Sequence, residues 1–431
     1  MKSIALALVS ICAVAANAAD IGRVIVRQQW PWSTKINVDF ELSGVSASAP
    51  ADISLRCYNG SAEISAAKVA AALSGKRFAL TAGGTYTLTL DPAVLFQSGT
   101  KTVPDFRVTV TAAATAPIDT EPIYRIIDIE TGDTDTLCRA DFYNDPDTYG
   151  TYETSFSVFG GTTTLSDVFI WTGVTNNSDY TSSKLVLRKI PAAGAEWPYG
   201  SASSLITGRL TNDYWIGVFP LTQEQYYRLA GSYGGAHTTY EDHERFPVAF
   251  VAWRDFVGWS YAWPNASASA DGVSASSPFG ILAARSGMIV NFPTEMQWEF
   301  AARGGATTGY YGISDAKSVM WFKTNAGSHP MAVGQKRPNA FGLYDTLGNV
   351  REVCRDWYAG GLPTTVQQTY EEYPGVDSAA AADYDSQPQK ASRGGYYNSA
   401  SGSPPTPYSR NGIKATSGNT CDGVRVWAID R

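Results

Sequence analysis

Residues 339–358 read Asn-Ala-Phe-Gly-Leu-Tyr-Asp-Thr-Leu-Gly-Asn-Val-Arg-Glu-Val-Cys-Arg-Asp-Trp-Tyr. Asn349 and Glu352 set an amide and a carboxylate just after the Gly348 turn. With nearby backbone oxygens, such as that of Val350, these are the donors that hold a hard cation. Arg351 offers the competing use, an ion pair with Glu352 that leaves no room for a metal. The chain has three histidines, His237, His243 and His329. His237 and His243 stand near Glu241, Asp242 and Glu244, but between Gly235 and Pro247 this composition reads as a solvated polar loop rather than a metal site. Asp255, after Trp253, and Glu295, after Thr294, each fall in the first turn of a predicted helix. A carboxylate there favours the helix dipole, so capping is the expected role of both.

The elements that must position these groups are short. Thr222 with Gln225, and Thr294 with Gln297, have capping-box spacing. The second predicted helix carries Trp298, Ala301 and Ala302 on one face and stops at Gly304-Gly305. Residues 184–431 therefore read as one domain with few helices, and 359–392 as loop. Ahead of it, Val24–Val26, Ile36–Phe40, Ile53–Leu55, Tyr86–Leu90 and Phe106–Val110 alternate apolar and polar positions between Gly-, Pro- and Ser-rich breaks. That spacing predicts an all-β sandwich of immunoglobulin or fibronectin type over 19–112. The Ala- and Thr-rich stretch Thr111–Pro117 reads as a linker. The region 113–183 reads as a β-rich connection whose pieces Tyr124–Ile129, Thr154–Phe159 and Asp167–Trp171 pack on the C-terminal domain.

Residues 1–18 combine Lys2, an apolar run from Ile4 and the small-x-small triplet Ala16-Asn17-Ala18, the pattern of a secretory signal. The expectation is a secreted or periplasmic protein with no membrane span. The full chain carries 33 basic and 40 acidic side chains, a net charge of −7. Such a balance argues against nucleic acid and anionic lipid as partners. Export puts Cys57, Cys138, Cys354 and Cys421 in an oxidising compartment, where at most two bridges can form.

Seven blocks in order carry a family likeness: Lys184–Pro191, Tyr214–Tyr227, Pro247–Trp263, Phe292–Gly305 (Phe-Pro-Thr-Glu-Met-Gln-Trp-Glu-Phe-Ala-Ala-Arg-Gly-Gly), the 339–358 block, and the closing Arg393–Tyr396 and Asp422–Trp427. Together they resemble the formylglycine-generating enzyme, or sulfatase-modifying factor, family. The resemblance implies an α+β, C-type-lectin-like fold with few helices and long loops. It also implies calcium at Asn349, Val350 and Glu352, a structural His329, and buried roles for Arg303, Arg393 and Arg425.

Active members of the family bind copper(I) through two cysteines just after Arg-Gly-Gly-Ser and convert a sulfatase cysteine to formylglycine. Soft thiolates suit that ion. Here Tyr396 replaces the serine and no cysteine lies between Arg393 and Arg410, so copper is not expected. A branch that holds iron through histidines of an added helical domain finds no match in the strand-like N-terminal region. Two functions remain open. One is a non-catalytic module binding peptide or glycan in a lectin-like groove; the other is an oxidoreductase acting on a sulfatase polypeptide. A Cys354–Cys421 bridge within the domain is a further expectation, with Cys57–Cys138 as a weaker one.

Overall fold

The computed structural model describes residues 19–28, 34–46, 48–96, 103, 105–114, 121–144, 151–158, 163–201, 204–234, 237–258, 272–306, 310–311, 313–358 and 389–431. The predicted signal at 1–18 and most of the predicted loop at 359–392 lie outside them. Two compact units make up the chain: residues up to Ile123 with Leu137–Gly150, and Tyr124–Thr136 with Thr151–Arg431.

In the first unit, strands Asp20–Gln28, Ile36–Ser43, Gly84–Leu90 and Leu73–Ser74 form one antiparallel sheet. Ala62–Glu63, Ala51–Asn59 and Phe106–Ala114 form another. Alternation turns Val38, Phe40 and Leu42 of one sheet, and Ile53, Leu55, Cys57, Val108 and Val110 of the other, into a shared apolar cluster. Every strand predicted here exists. The stretch Thr111–Ala114, expected as linker, instead continues a strand that pairs with Ala51–Ser54; Ala112 is buried there, because a small side chain still keeps the inward face of the pleat. Two short helices, Ala66–Ala72 and Pro92–Leu95, add Val69, Ala72 and Leu95 to the cluster.

The second unit is mixed, with many strands and few helices. Ile289–Asn291, Trp427–Ile429, Tyr214–Gly217, Lys184–Ile190 and Pro122–Asp128 run side by side, antiparallel throughout. This sheet joins the end of the chain to the strand at 122–128, so the unit begins well before Lys184. A second sheet orders Arg410–Lys414, Gln389–Arg393, Arg351–Trp357 and Asp422–Gly423, the last pair parallel.

Both predicted capping boxes are formed. Thr222 Oγ1 accepts the Gln225 N–H and Gln225 Oε1 accepts the Thr222 N–H, and Thr294 and Gln297 do the same. The Glu295–Arg303 helix ends at Gly304 in the left-handed conformation. It buries Trp298, Ala301 and Ala302 as its pattern required. Among the described residues no helix is long and apolar enough to cross a membrane.

Candidate functional site

Asn349 sits at φ 57°, in the left-handed region that asparagine tolerates better than most residues. Its amide clamps one backbone position, Oδ1 accepting the Met331 N–H at 2.9 Å and Nδ2 donating to the Met331 carbonyl at 3.0 Å. Its own N–H donates to Trp321 O, and its carbonyl accepts the Tyr397 N–H at 2.9 Å. Val350 is buried beside it. Three residues on, Glu352 is 1% exposed. Arg425 grips it with two parallel bonds, Nε to Oε2 at 2.8 Å and Nη2 to Oε1 at 2.6 Å, and Trp298 Nε1 donates to Oε2. The remaining Arg425 donors reach the carbonyls of Gly217, Val218 and Tyr344. Arg351, the competing partner considered for Glu352, pairs instead with Asp422.

A second buried ionic cluster adjoins this strand. Arg393 donates to Glu295 at 2.7 Å, to Glu299 at 2.7 Å and to the Tyr199 hydroxyl at 2.7 Å. Arg410 also donates to Glu295, and Arg303 to Glu299 and to the Gly200 carbonyl. Burial opposes the charge of Glu295, but Arg393 and Arg410 outweigh it and hold the carboxyl below its ordinary range. Capping was too small a role for Glu295: it anchors two arginines from the second sheet. Asp255 does cap, accepting the Ala252 N–H at 3.1 Å.

The loop between Arg393 and Arg410 closes on itself. Ser399 and Tyr396 exchange two bonds, and Thr406 and Ser409 pair in the same way. Its tyrosines join an aromatic surface: Tyr397 meets His237 edge-on, His237 lies beside Tyr240, Tyr240 packs 4.3 Å from His329, and His329 stacks on Phe246. Tyr240 is 43% exposed. The histidines therefore serve packing. His237 contacts the Thr420 carbonyl, while His243 contacts Gln223 and lies against Tyr233. No group of three His, Cys, Asp or Glu side chains fit to hold a metal occurs among the described residues.

The expected Cys354–Cys421 bridge is not formed, and neither is a Cys57–Cys138 bridge. Parallel pairing sets Arg351 opposite Asp422, which staggers the two cysteines by four residues. At roughly 3.3 Å per residue this is about 13 Å, beyond the ~7 Å Cα reach of a disulfide. Cys354 packs with Trp298 and Ala391, and Cys421 with Ala326 and Tyr397. Burial pushes the Cys421 thiol up to about 11.

Sequence reasoning missed Lys390. It is 1% exposed, donates to the Arg355 carbonyl at 2.8 Å, and lies 3.5 Å from the Trp357 ring centre and 4.1 Å from that of Trp253. Burial pulls its pKa well down, and burial with Glu295 nearby pushes that of the adjacent Asp356 up to about 6. A lysine between loop segments gives no warning of this.

The family profile of the sulfatase-modifying factor enzyme 1-like domain matches residues 206–428. The chain belongs to that family. Among its relatives, the Chaperone protein LppX of Paenibacillus barcinonensis is 25% identical over 193 residues, 37% of this chain and 67% of that protein. Formylglycine-generating enzymes of Streptomyces coelicolor and Thermomonospora curvata are 36% identical over 100 residues and 26% over 148. These matches cover 20% and 30% of this chain, and 30% and 40% of those enzymes; the chain spans less than half their length. The solved Treponema denticola variable protein 1 matches 57% of this chain and 95% of its own, with 20% identity and a TM-score of 0.45. In this chain the blocks at 292–305, 349–352, 393–395 and 422–427 supply the buried frame.

Proposed function

We propose that this protein is an exported member of the sulfatase-modifying factor family that binds a peptide or glycan through the lectin-like face of its C-terminal domain and does not oxidise cysteine. One observation carries the reading. From Arg393 to Arg410 the chain offers Tyr396, Tyr397 and a run of Ser and Pro, with no thiol. The two described cysteines of this domain lie in separate clusters, so their donor set does not fit a copper(I) ion that needs both sulfurs in one pocket. Aromatic side chains with polar tips and flat apolar faces, like the exposed Tyr240 and the half-buried His329, suit recognition of an uncharged or weakly polar ligand. The N-terminal module, read as an immunoglobulin-like sandwich, then acts as a spacer or second binding surface.

Calcium has a similar difficulty. Both Glu352 oxygens and both polar atoms of the Asn349 amide already hold protein partners. An ion there would have to take Glu352 from Arg425. The pair therefore belongs to the frame.

Likeness to the Streptomyces coelicolor enzyme favours the second reading, oxidation of a sulfatase cysteine. Incubation with a Cys-x-Pro-x-Arg peptide, copper(I) and oxygen, followed by mass spectrometry, separates the two. The expected product is unmodified thiol peptide; an aldehyde-bearing peptide would establish the oxidoreductase.

A further inference from the structure

Phe250 combines two costly features. Its backbone is left-handed at φ 65°, a conformation that bulky side chains avoid, and its ring is 52% exposed. The surroundings hold it there from both sides. A Cβ on Gly418 would come within 2.3 Å of the Phe250 carbonyl carbon, and one on Gly234 within 2.5 Å of Val251. In addition, the Phe250 N–H donates to the Asn419 carbonyl at 3.0 Å. A fixed outlier with its apolar group turned to water points to a presented contact surface.

The ring borders a cleft of about 450 Å³ that Tyr226, Tyr233, Ser232, Thr238 and Asp255 also line. Tyr233 stacks on the exposed Tyr227 at 4.6 Å, and its hydroxyl donates to Glu224. Asp255 is the charged side chain among the described lining residues. One of its oxygens caps Ala252, and the other lies 3.6 Å from Arg254. The cleft therefore presents the exposed Phe250 ring beside a half-buried Tyr233, already stacked on Tyr227, and several hydroxyl and carboxylate oxygens, with its one charge matched.

From this geometry we infer that the cleft binds a neutral oligosaccharide. The C–H face of a sugar ring is weakly positive and fits the negative face of an aromatic ring, while its hydroxyls donate to Asp255 and both donate to and accept from Ser232 and Thr238. The volume lies in the range of small-molecule sites. A peptide fits less well: none of the described lining residues belongs to a strand whose edge a peptide could extend. This rests on the proposed binding role and names the ligand class.

The test is saturation-transfer NMR of the full chain with cellohexaose, chitohexaose and mannohexaose. Wild type transfers to the ring protons of at least one sugar. Phe250→Gly, which removes the ring and relieves the left-handed backbone, weakens binding about tenfold or more without lowering the thermal midpoint; Tyr233→Ala weakens it independently. No transfer from wild type to any of the three overturns the inference. So does binding that survives both substitutions, or Phe250-dependent transfer to a random peptide mixture in place of the sugars. Conversion of the Cys-x-Pro-x-Arg peptide would defeat the non-oxidising reading alone, whatever the sugars show.

Discussion

The buried frame of the C-terminal domain and the Tyr396–Ser409 loop differ in the kind of contact that holds them. Buried charged side-chain pairs hold the first; the second rests on short turns and backbone bonds such as Tyr397 N–H to the Asn349 carbonyl and Lys323 N–H to the Ser399 carbonyl. Glu352 and Arg425 are 73 residues apart, and Arg393 and Glu295 are 98 apart. The loop's internal bonds, Tyr396 to Ser399 and Thr406 to Ser409, span three residues. Long-range charged pairs tie several elements together, so a change at one end strands a charge at the other. Local turns can exchange side chains while the backbone keeps its path. In this chain the fold rests on the first kind of contact, while the second leaves side chains open to change without loss of the fold.

The largest expected effect lies in the frame. Glu352→Gln leaves the Arg425 guanidinium buried without its counter-charge, a loss of about 3–5 kcal/mol. Urea denaturation reads it directly, and a loss below about 1 kcal/mol would mean that the frame is no more constraining than a surface pair.

Asp345 gives the next effect, with a defined pH sign. Burial pushes its carboxyl from 3.8 up to about 6, so the folded state holds the proton more tightly than the unfolded chain. Its contribution is complete below about pH 4 and is lost as pH rises through 6. Raising the carboxyl that far corresponds to at most about 3 kcal/mol. Asp345→Asn keeps a residue suited to φ 54° and removes this loss. Stability of the variant minus wild type should therefore rise between pH 4 and 7 and stay level above. A flat difference would show that Asp345 ionises freely.

A smaller effect belongs to the loop. Tyr396→Ser restores the residue usual in the family and gives up the Arg351–ring contact at 5.2 Å, about 0.5–1 kcal/mol. If it unfolds the domain, the loop is part of the frame and the contrast fails.

The sequence discloses these two layers unequally. Capping boxes, the strand bursts and the Trp298–Ala301–Ala302 face depend on neighbours within a few residues, and all were readable. That Glu352 would choose Arg425 over the adjacent Arg351 was not, because the choice depends on which strand lies parallel to Arg351–Trp357. Glu295 misled for the same reason: a first-turn carboxylate looks like a cap until two arginines from another sheet arrive. Lys390 and Phe250 gave no sign at all. A buried lysine and a left-handed phenylalanine are locally unfavourable, and only tertiary contacts hold them.

The smallest expected effect is that of a chelator on the thermal midpoint. An ion bound only to the folded state stabilises it by mass action, by about 2.7 kcal/mol at a hundredfold excess over its dissociation constant. Removing such an ion from Asn349, Val350 and Glu352 would therefore be conspicuous. With Glu352 gripped by Arg425 and Trp298, and the Asn349 amide spent on Met331, EDTA should leave the midpoint of wild type unchanged, and added calcium should not raise it. A fall in EDTA that calcium reverses, and that Glu352→Gln abolishes, would show that the frame opens to admit a metal. The block would then be a binding site as well as a brace, and the division between frame and loop would have to be redrawn.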